Sequence, residues 1–378
     1  MKVCDVVINS IWFDPRVRKQ IVGYMENGIE VCCVGLKCTK YNEEKVSQIP
    51  CKTVIVDNNS KYAGKQKNAI KKLLRDRAME GAITKAIIEQ KPDIIHANDL
   101  NALIPAYRAS KKLKCGLIYD SHEIYTENHH VVKKKLYRYI LKLQEKYICK
   151  RIDKMVCVSN AAADYFEKML KIEKPIVVTN CSLKAEQTIS ETKNDGFEVL
   201  NHGQFYAGRG YDIMVEAIPL FKEYPEIKLA LRGMGIMEMQ LKERAKELGD
   251  ENFRFYPPVH VSELIREAAR SKIGVAITEG ICINFKLSVS NKLFEYASAG
   301  LPVIMSDIPE HRYLNDKYSF GIILKENTPK AFADAVVKFY TDKEFYEKCS
   351  SNAILLSSEV NWEMEFKRLI DFEKQLIK

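Results

Sequence analysis

The sequence predicts an α/β protein made of two successive doubly wound units, each Rossmann-like. Apolar runs of strand length alternate with segments of helical period from the first residues onward. Most of those runs close on a polar residue at the carboxyl end. The rhythm breaks once, at the polar stretch SLKAEQTISETKNDG (182–196), and then resumes. A chain of 378 residues also exceeds one ordinary core.

In order, VCDVVIN (3–9) predicts a first strand and RVRKQIVGYMENG (16–28) a helix stopped by glycine. IEVCCVGL (29–36), PDIIHAND (92–99), CGLIYDSHE (115–123), KMVCVSN (154–160) and PIVVTN (175–180) read as further strands, with LNALIPAYRASKKL (100–113) a helix. After the break, FEVLNHGQF, IKLALRG, FRFYPP, IGVAIT and LPVIMSD read as strands. YDIMVEAIPLFKEY, MEMQLKERAKELG, VSELIREAARS and NKLFEYASAG read as the helices between them. The last 40 or so residues are helical. The predicted organisation is an N-terminal domain over 1–185, a linker over 186–196, a C-terminal domain over 197–357 and a final helical segment over 358–378.

Composition narrows the function classes. At 46% apolar and 29% charged residues the chain reads as soluble and globular. No apolar run nears the ~20 residues of a bilayer span, and the N-terminus carries no secretory pattern. Eleven cysteines lie scattered, without C-x-x-C or metal spacing, and read as reduced core thiols. Charge is uneven: residues 1–190 carry 34 Lys and Arg against 21 acids, whereas 191–378 carry 25 against 29. An anionic partner is therefore expected at the first half. Two basic stretches stand out there, 61–77 and 131–154, the second with Leu136, Ile140 and Leu143 at helical spacing. Such a helix suits an anionic membrane surface or simply a solvated face. No nucleic-acid-binding pattern is present.

The chemistry-bearing candidates lie at predicted strand ends, where open α/β sheets bind ligands. The start of NKLFEYASAG offers the amides of Asn291, Lys292 and Leu293 to a phosphate. Glu295 lies one turn further in, able to accept from both hydroxyls of a vicinal diol, though a helical glutamate is ordinarily solvated. GQFYAGRG (203–210) resembles a phosphate loop, but Arg209 and Gly210 stand where lysine and a hydroxyl would be. Nucleotide hydrolysis is thereby disfavoured, and a bidentate arginine clamp on diphosphate is retained. Gly233 and Gly235 fall short of a dinucleotide fingerprint, since Glu238 replaces the third glycine. In the first half, His122 with Glu123 and His96 with Asp99 occupy polar strand tips. No catalytic triad, zinc motif or paired-carboxylate metal motif is found.

The order of these features resembles the family-four glycosyltransferases, retaining nucleotide-sugar enzymes of the GT-B fold. The resemblance rests on DPRVRKQ (14–20), PDIIHAND, IYDSHE, GQFYAGRGYD, RGMG, NKLFEYASAGLPVIMSD and NWE (361–363). It implies two Rossmann-like domains facing across a cleft, nucleoside diphosphate in the second and acceptor in the first, with the last segment, 358–378 around Trp362, crossing back to the first domain. It implies that Glu295 binds the ribose and that Arg209, Gly203 and Gln204 meet the diphosphate, with the amides of Asn291 to Leu293. Gly233 lies in the same set. His122 is implied as the catalytic histidine near the donor sugar, with Asp14, Arg16, His96, Asp99 and Glu123 on the acceptor side. Leu287 stands where the family carries its first motif glutamate. Glu279 or Asn284 is expected to grip the donor sugar instead.

The function so implied is metal-independent transfer, without a cofactor, of a sugar from an NDP-sugar to a glycan or lipid-linked acceptor. The setting is surface polysaccharide synthesis at the cytoplasmic face of a membrane. A catalytically silent nucleotide-sugar-binding module and a non-hydrolysing NDP-sugar epimerase are the alternatives.

Overall fold

The computed structural model describes residues 1–37, 43–57, 69–183, 192–249 and 251–376. Most of the linker expected over 186–196, and the first part of the basic stretch 61–77, lie outside them. The chain forms two compact units, Met1–Thr179 with Glu365–Lys378, and Asn180–Met364.

Unit 1 is built on seven parallel strands: β1 (Lys2–Val7), β2 (Glu30–Leu36), β3 (Lys52–Val56), β4 (Ile94–Asn98), β5 (Gly116–Ser121), β6 (Lys154–Cys157) and β7 (Ile176–Val177). Their order is β3-β2-β1-β4-β5-β6-β7. Unit 2 has six, again parallel: β8 (Phe197–Gln204), β9 (Ile227–Met234), β10 (Phe253–Tyr256), β11 (Ile273–Ala276), β12 (Val303–Ser306) and β13 (Gly321–Leu324), ordered β10-β9-β8-β11-β12-β13. Each sheet reverses its winding once, between β1 and β4 and between β8 and β11, which opens a crevice at the carboxyl ends of those strands.

The strands are buried on both faces, hence their unbroken apolar runs. Cys4, Val6, Cys32, Val34, Ile95 and Leu117 pack in one core of unit 1. Val199, Leu229, Ile273, Val275, Phe332 and Phe339 pack in unit 2. The described cysteines are free thiols, most of them buried. Local signals place the helices. Asp14 accepts from the Arg16 and Val17 amides, each at 3.1 Å, and so starts the helix Pro15–Glu26.

Several elements differ from the sequence reading. The helix expected over 211–224 stops at Glu216, and Ile218–Phe221 follows as a 3-10 turn, because Pro219 has no N–H to continue the ladder. The helix expected around 261–271 is confined to Leu264–Ala268. The strand expected over 175–180 pairs only at Ile176–Val177, where β6 ends. β3, β13 and the helix Pro309–Tyr318 lie in segments whose pattern had suggested no element. No described helix is long and apolar enough to cross a membrane.

The C-terminal segment is bound into unit 1. Gly23 lacks a Cβ that would lie 2.4 Å from the Phe366 ring, so Phe366 rests on the helix Pro15–Glu26. Glu365 accepts from the Thr179 amide at 2.6 Å.

Candidate functional site

In unit 2 the crevice is edged by the end of β8, Asn201-His202-Gly203-Gln204. A Cβ on Gly233 would come within 1.9 Å of the Gly203 carbonyl, so the ends of β8 and β9 meet only because residue 233 is glycine. Beyond lies the turn into the helix Tyr211–Glu216, capped by Gly210 at φ +70°. Gln204 is exposed. Arg209 lies over the Phe285 ring at 4.6 Å, and burial lowers its pKa.

The helix Asn291–Ser298 points its start at this turn. Asn291 is exposed there, and the Leu293 amide closes a turn onto the Ser290 carbonyl at 3.1 Å. Lys292 is only 9% exposed. Its ammonium donates to Asn201 Oδ1 at 2.6 Å and to the Tyr211 hydroxyl at 3.4 Å. Burial, reinforced by the charge of Arg209 and opposed by Glu295, draws its pKa down to about 7. Among the described residues neither Arg209 nor Lys292 has a carboxylate within ion-pair distance.

Glu295 answers to His202. Oε2 lies 2.7 Å from the imidazole Nε2, with the histidine 2% exposed and the carboxylate 24% exposed. The His202 amide donates to the Tyr296 hydroxyl at 3.0 Å, and the two rings lie 4.5 Å apart. The carboxylate is thus fixed from behind and open in front.

Across the turn, the Glu279 carboxylate accepts from the Gly210 amide while Oε1 is buried without a partner. Burial, with Asp212 nearby, raises its pKa. Asn284 is buried on the helix Ile283–Leu287, and Leu287 ends that helix half-buried.

In unit 1 the polar strand ends form one network. Asp120, wholly buried at the end of β5, accepts two bonds from Arg16 on Oδ2, at 2.9 and 3.0 Å, and a third on Oδ1 at 3.0 Å. Gln20 donates to Asp120 at 2.9 Å. His96 sits between Asp120, 3.2 Å from Nε2, and Glu373, 2.9 Å from Nδ1. The Tyr24 hydroxyl donates to Glu373 at 2.6 Å. Burial alone would raise the Asp120 carboxyl, but Arg16 and the histidines hold it well below the usual range.

His122 lies just past β5 and is partly open. Its amide donates to Asp99 Oδ1 at 3.0 Å, and Nε2 lies 3.0 Å from Asn98 Oδ1 and 3.6 Å from Asp120 Oδ2. Burial works against the imidazolium, yet Asp99 and Asp120 prevail and raise its pKa to about 9. Asp99 has φ +65°, a conformation costly for a non-glycine residue and typical of sites where geometry is imposed. Glu123 is half-buried, and its carbonyl accepts from the Ser121 hydroxyl at 2.8 Å.

The predicted residues therefore gather at the carboxyl ends of their own sheets. Within unit 1, His122 and Asp99 join directly, while Arg16 and His96 are sealed beneath them and Asp14 caps a helix. The sequence reading missed Asp120, Gln20, Glu373, His202 and the Lys292 side chain. A cation in the first turn of a helix opposes the helix dipole, and that was an available signal for Lys292.

These two sheets, each with its crevice at the winding reversal, define a GT-B glycosyltransferase fold. The profile of glycosyltransferase family 4 matches residues 20–186, and that of glycosyl transferases group 1 matches 184–355. The chain belongs to the family-four-like glycosyltransferases. Similar solved structures span its whole length. Sucrose-phosphate synthase of Thermosynechococcus elongatus is 14% identical, with TM-score 0.77, over 100% of this chain and 99% of that one. Anabaena Alr3699/HepE in complex with UDP and glucose is 14% identical, with TM-score 0.76, over 99% of each. A glycosyltransferase of Rickettsia africae is 15% identical, with TM-score 0.72, over 100% and 98%. At such identities the likeness concerns the fold. No protein among the curated sequences matches.

Proposed function

We propose that this glycosyltransferase transfers a sugar, with retention, from an NDP-sugar to a lipid-linked glycan acceptor at the inner face of a membrane. One observation carries the donor half: Arg209 and Lys292 gather without a carboxylate partner at a helix start, with Glu295 fixed nearby. Uncompensated buried cations are costly unless an anion joins them. A nucleoside diphosphate supplies the anion, and its ribose supplies the diol for Glu295. Structures of similar fold have been solved with UDP or UDP-sugar.

In this reading the bond between the sugar C1 and the diphosphate oxygen breaks while the acceptor oxygen attacks the same face. The acceptor proton passes to the departing phosphate oxygen. Negative charge grows on the diphosphate, and Arg209 and the amides of Asn291 and Lys292 at the helix start stabilise it there, so a metal is not required. Glu279 Oε1 accepts from a donor-sugar hydroxyl in place of the carboxylate absent at Leu287. His122, charged through Asp99 and Asp120, is the catalytic imidazolium of this reading. Arg16 and His96 act on it through Asp120 rather than by touching the acceptor.

The acceptor half rests on the helix Lys135–Cys149. Leu136 and Leu143, 73% and 50% exposed, share with Tyr139, Ile140 and Tyr147 the face opposite the buried Leu141, Glu145 and Ile148. Lys133, Lys135, Lys146 and Lys150 flank that face and make no ion pair among the described residues. Apolar area bordered by lysines fits an anionic lipid surface.

A thermal-shift screen of UDP, GDP, ADP and their sugars tests the donor half. A ligand at a hundred times its dissociation constant adds ~2.7 kcal/mol. Turnover of the bound sugar nucleotide then separates an enzyme from a binding module. A C2-inverted sugar nucleotide as product would instead identify an epimerase.

A further inference from the structure

We propose that the Lys292 side chain is a counter-cation of the diphosphate, and that nucleotide and proton enter this site together. The inference rests on the donor reading above and assigns to the ammonium a role beyond that of its backbone amide.

The geometry is unusual for a lysine. It occupies the second position of the helix Asn291–Ser298, where the helix dipole disfavours a cation. It is buried, although lysine seldom is without a partner. Its hydrogen-bond partners are neutral, Asn201 Oδ1 and the Tyr211 hydroxyl. Its stem runs beneath Gly203, where a Cβ would meet Lys292 Cε at 3.5 Å and the Tyr211 hydroxyl at 3.1 Å. The bare strand end thus leaves the lysine close under the turn that carries Arg209.

Four ionisable groups surround it. From the turn, Arg209 repels the ammonium; from its own helix, Glu295 attracts it. Tyr211 faces it with a hydroxyl, and His202 at the end of β8 engages the Glu295 carboxylate. The one carboxylate in reach is therefore already hydrogen-bonded elsewhere. With a pKa near 7 in the free protein, the amine is largely neutral at pH 8. A diphosphate beside it favours the charged form, so Nζ gains a proton from solvent on binding and returns it when the nucleoside diphosphate leaves.

Isothermal calorimetry of UDP binding at pH 8, in two buffers of different ionisation enthalpy, tests this. At that pH a terminal phosphate is already ionised and contributes no proton. The wild type is expected to take up more than half a proton per UDP. Its dissociation constant should rise as pH increases from 7 to 8.5, by up to about tenfold per pH unit. Lys292→Met should bind more weakly, take up no proton and lose that pH dependence. Lys292→Arg, charged throughout, should bind without uptake. UDP binding by the wild type with heats independent of buffer overturns the inference and leaves the donor reading standing, as does uptake that persists in either variant. Failure of UDP, GDP and ADP alike to bind overturns both.

Discussion

His202 Nε2 and Glu295 Oε2 lie 2.7 Å apart, the imidazole sealed and the carboxylate still open to solvent. A buried donor behind a half-open acceptor fixes the rotamer of the acceptor before any ligand arrives, which lowers the ordering cost of binding. Glu295→Ala is therefore expected to weaken UDP binding by about ten- to a hundredfold, the range for hydrogen bonds to a charged group. His202→Ala should weaken it less, by several-fold, with kcat little changed. Isothermal calorimetry on both variants checks the order.

His122 predicts the alkaline limb of activity. Its pKa of about 9 exceeds the ordinary 6.5, so the imidazolium persists through neutral pH. Stability from its pairing is complete below about pH 6.5 and is lost as pH rises through about 9. Activity should fall over the same upper range. Asp99→Asn should move that limb down by about one pH unit, read from kcat/KM against pH.

Arg16 and Asp120 form a buried pair whose breakage leaves an uncompensated charge. Arg16→Met should cost about 3–5 kcal/mol in the stability of unit 1. Because the Asp120 carboxyl lies below its ordinary value of 3.8, the contribution is present above that pH and is lost as pH falls below it. Chemical denaturation followed at neutral and acid pH gives both numbers.

Glu279→Gln should leave UDP affinity within about twofold while reducing that for the sugar nucleotide about tenfold, the worth of one charge-assisted hydrogen bond. Parallel titrations with UDP and UDP-glucose distinguish the two. Equal losses for both would remove Glu279 from the sugar pocket.

Leu143→Glu on the helix Lys135–Cys149 should abolish flotation with anionic liposomes and leave the melting temperature within ~1 °C, since the side chain is half-exposed. Flotation equal to that of the parent would place the lipid contact elsewhere.

Much of the fold was legible because parallel strands must be apolar on both faces, and their ladders end where polar residues begin. β4 ends at Asn98, and Asp99 follows; β5 ends at Ser121, and His122 follows. Glu295 and Arg209 were legible from a helix start and a glycine-rich turn. β3 and β13, at sheet edges and only half-buried over most of their length, carry weaker patterns and were missed. Pro219 was an explicit break signal that the apolar period around it masked.

By itself the sequence determined the two doubly wound units and most of the residues at their strand ends, because hydrophobic period and chain punctuation are local properties. Only the tertiary structure decided which of those residues remain available. Arg16 and His96 are spent inside a network closed by Glu373, 277 positions beyond His96 along the chain. Glu295 is aimed by His202, and Lys292 lies buried among neutral partners. Desolvation and pairing between residues distant in the chain set these states, and neither is written in any short stretch of it.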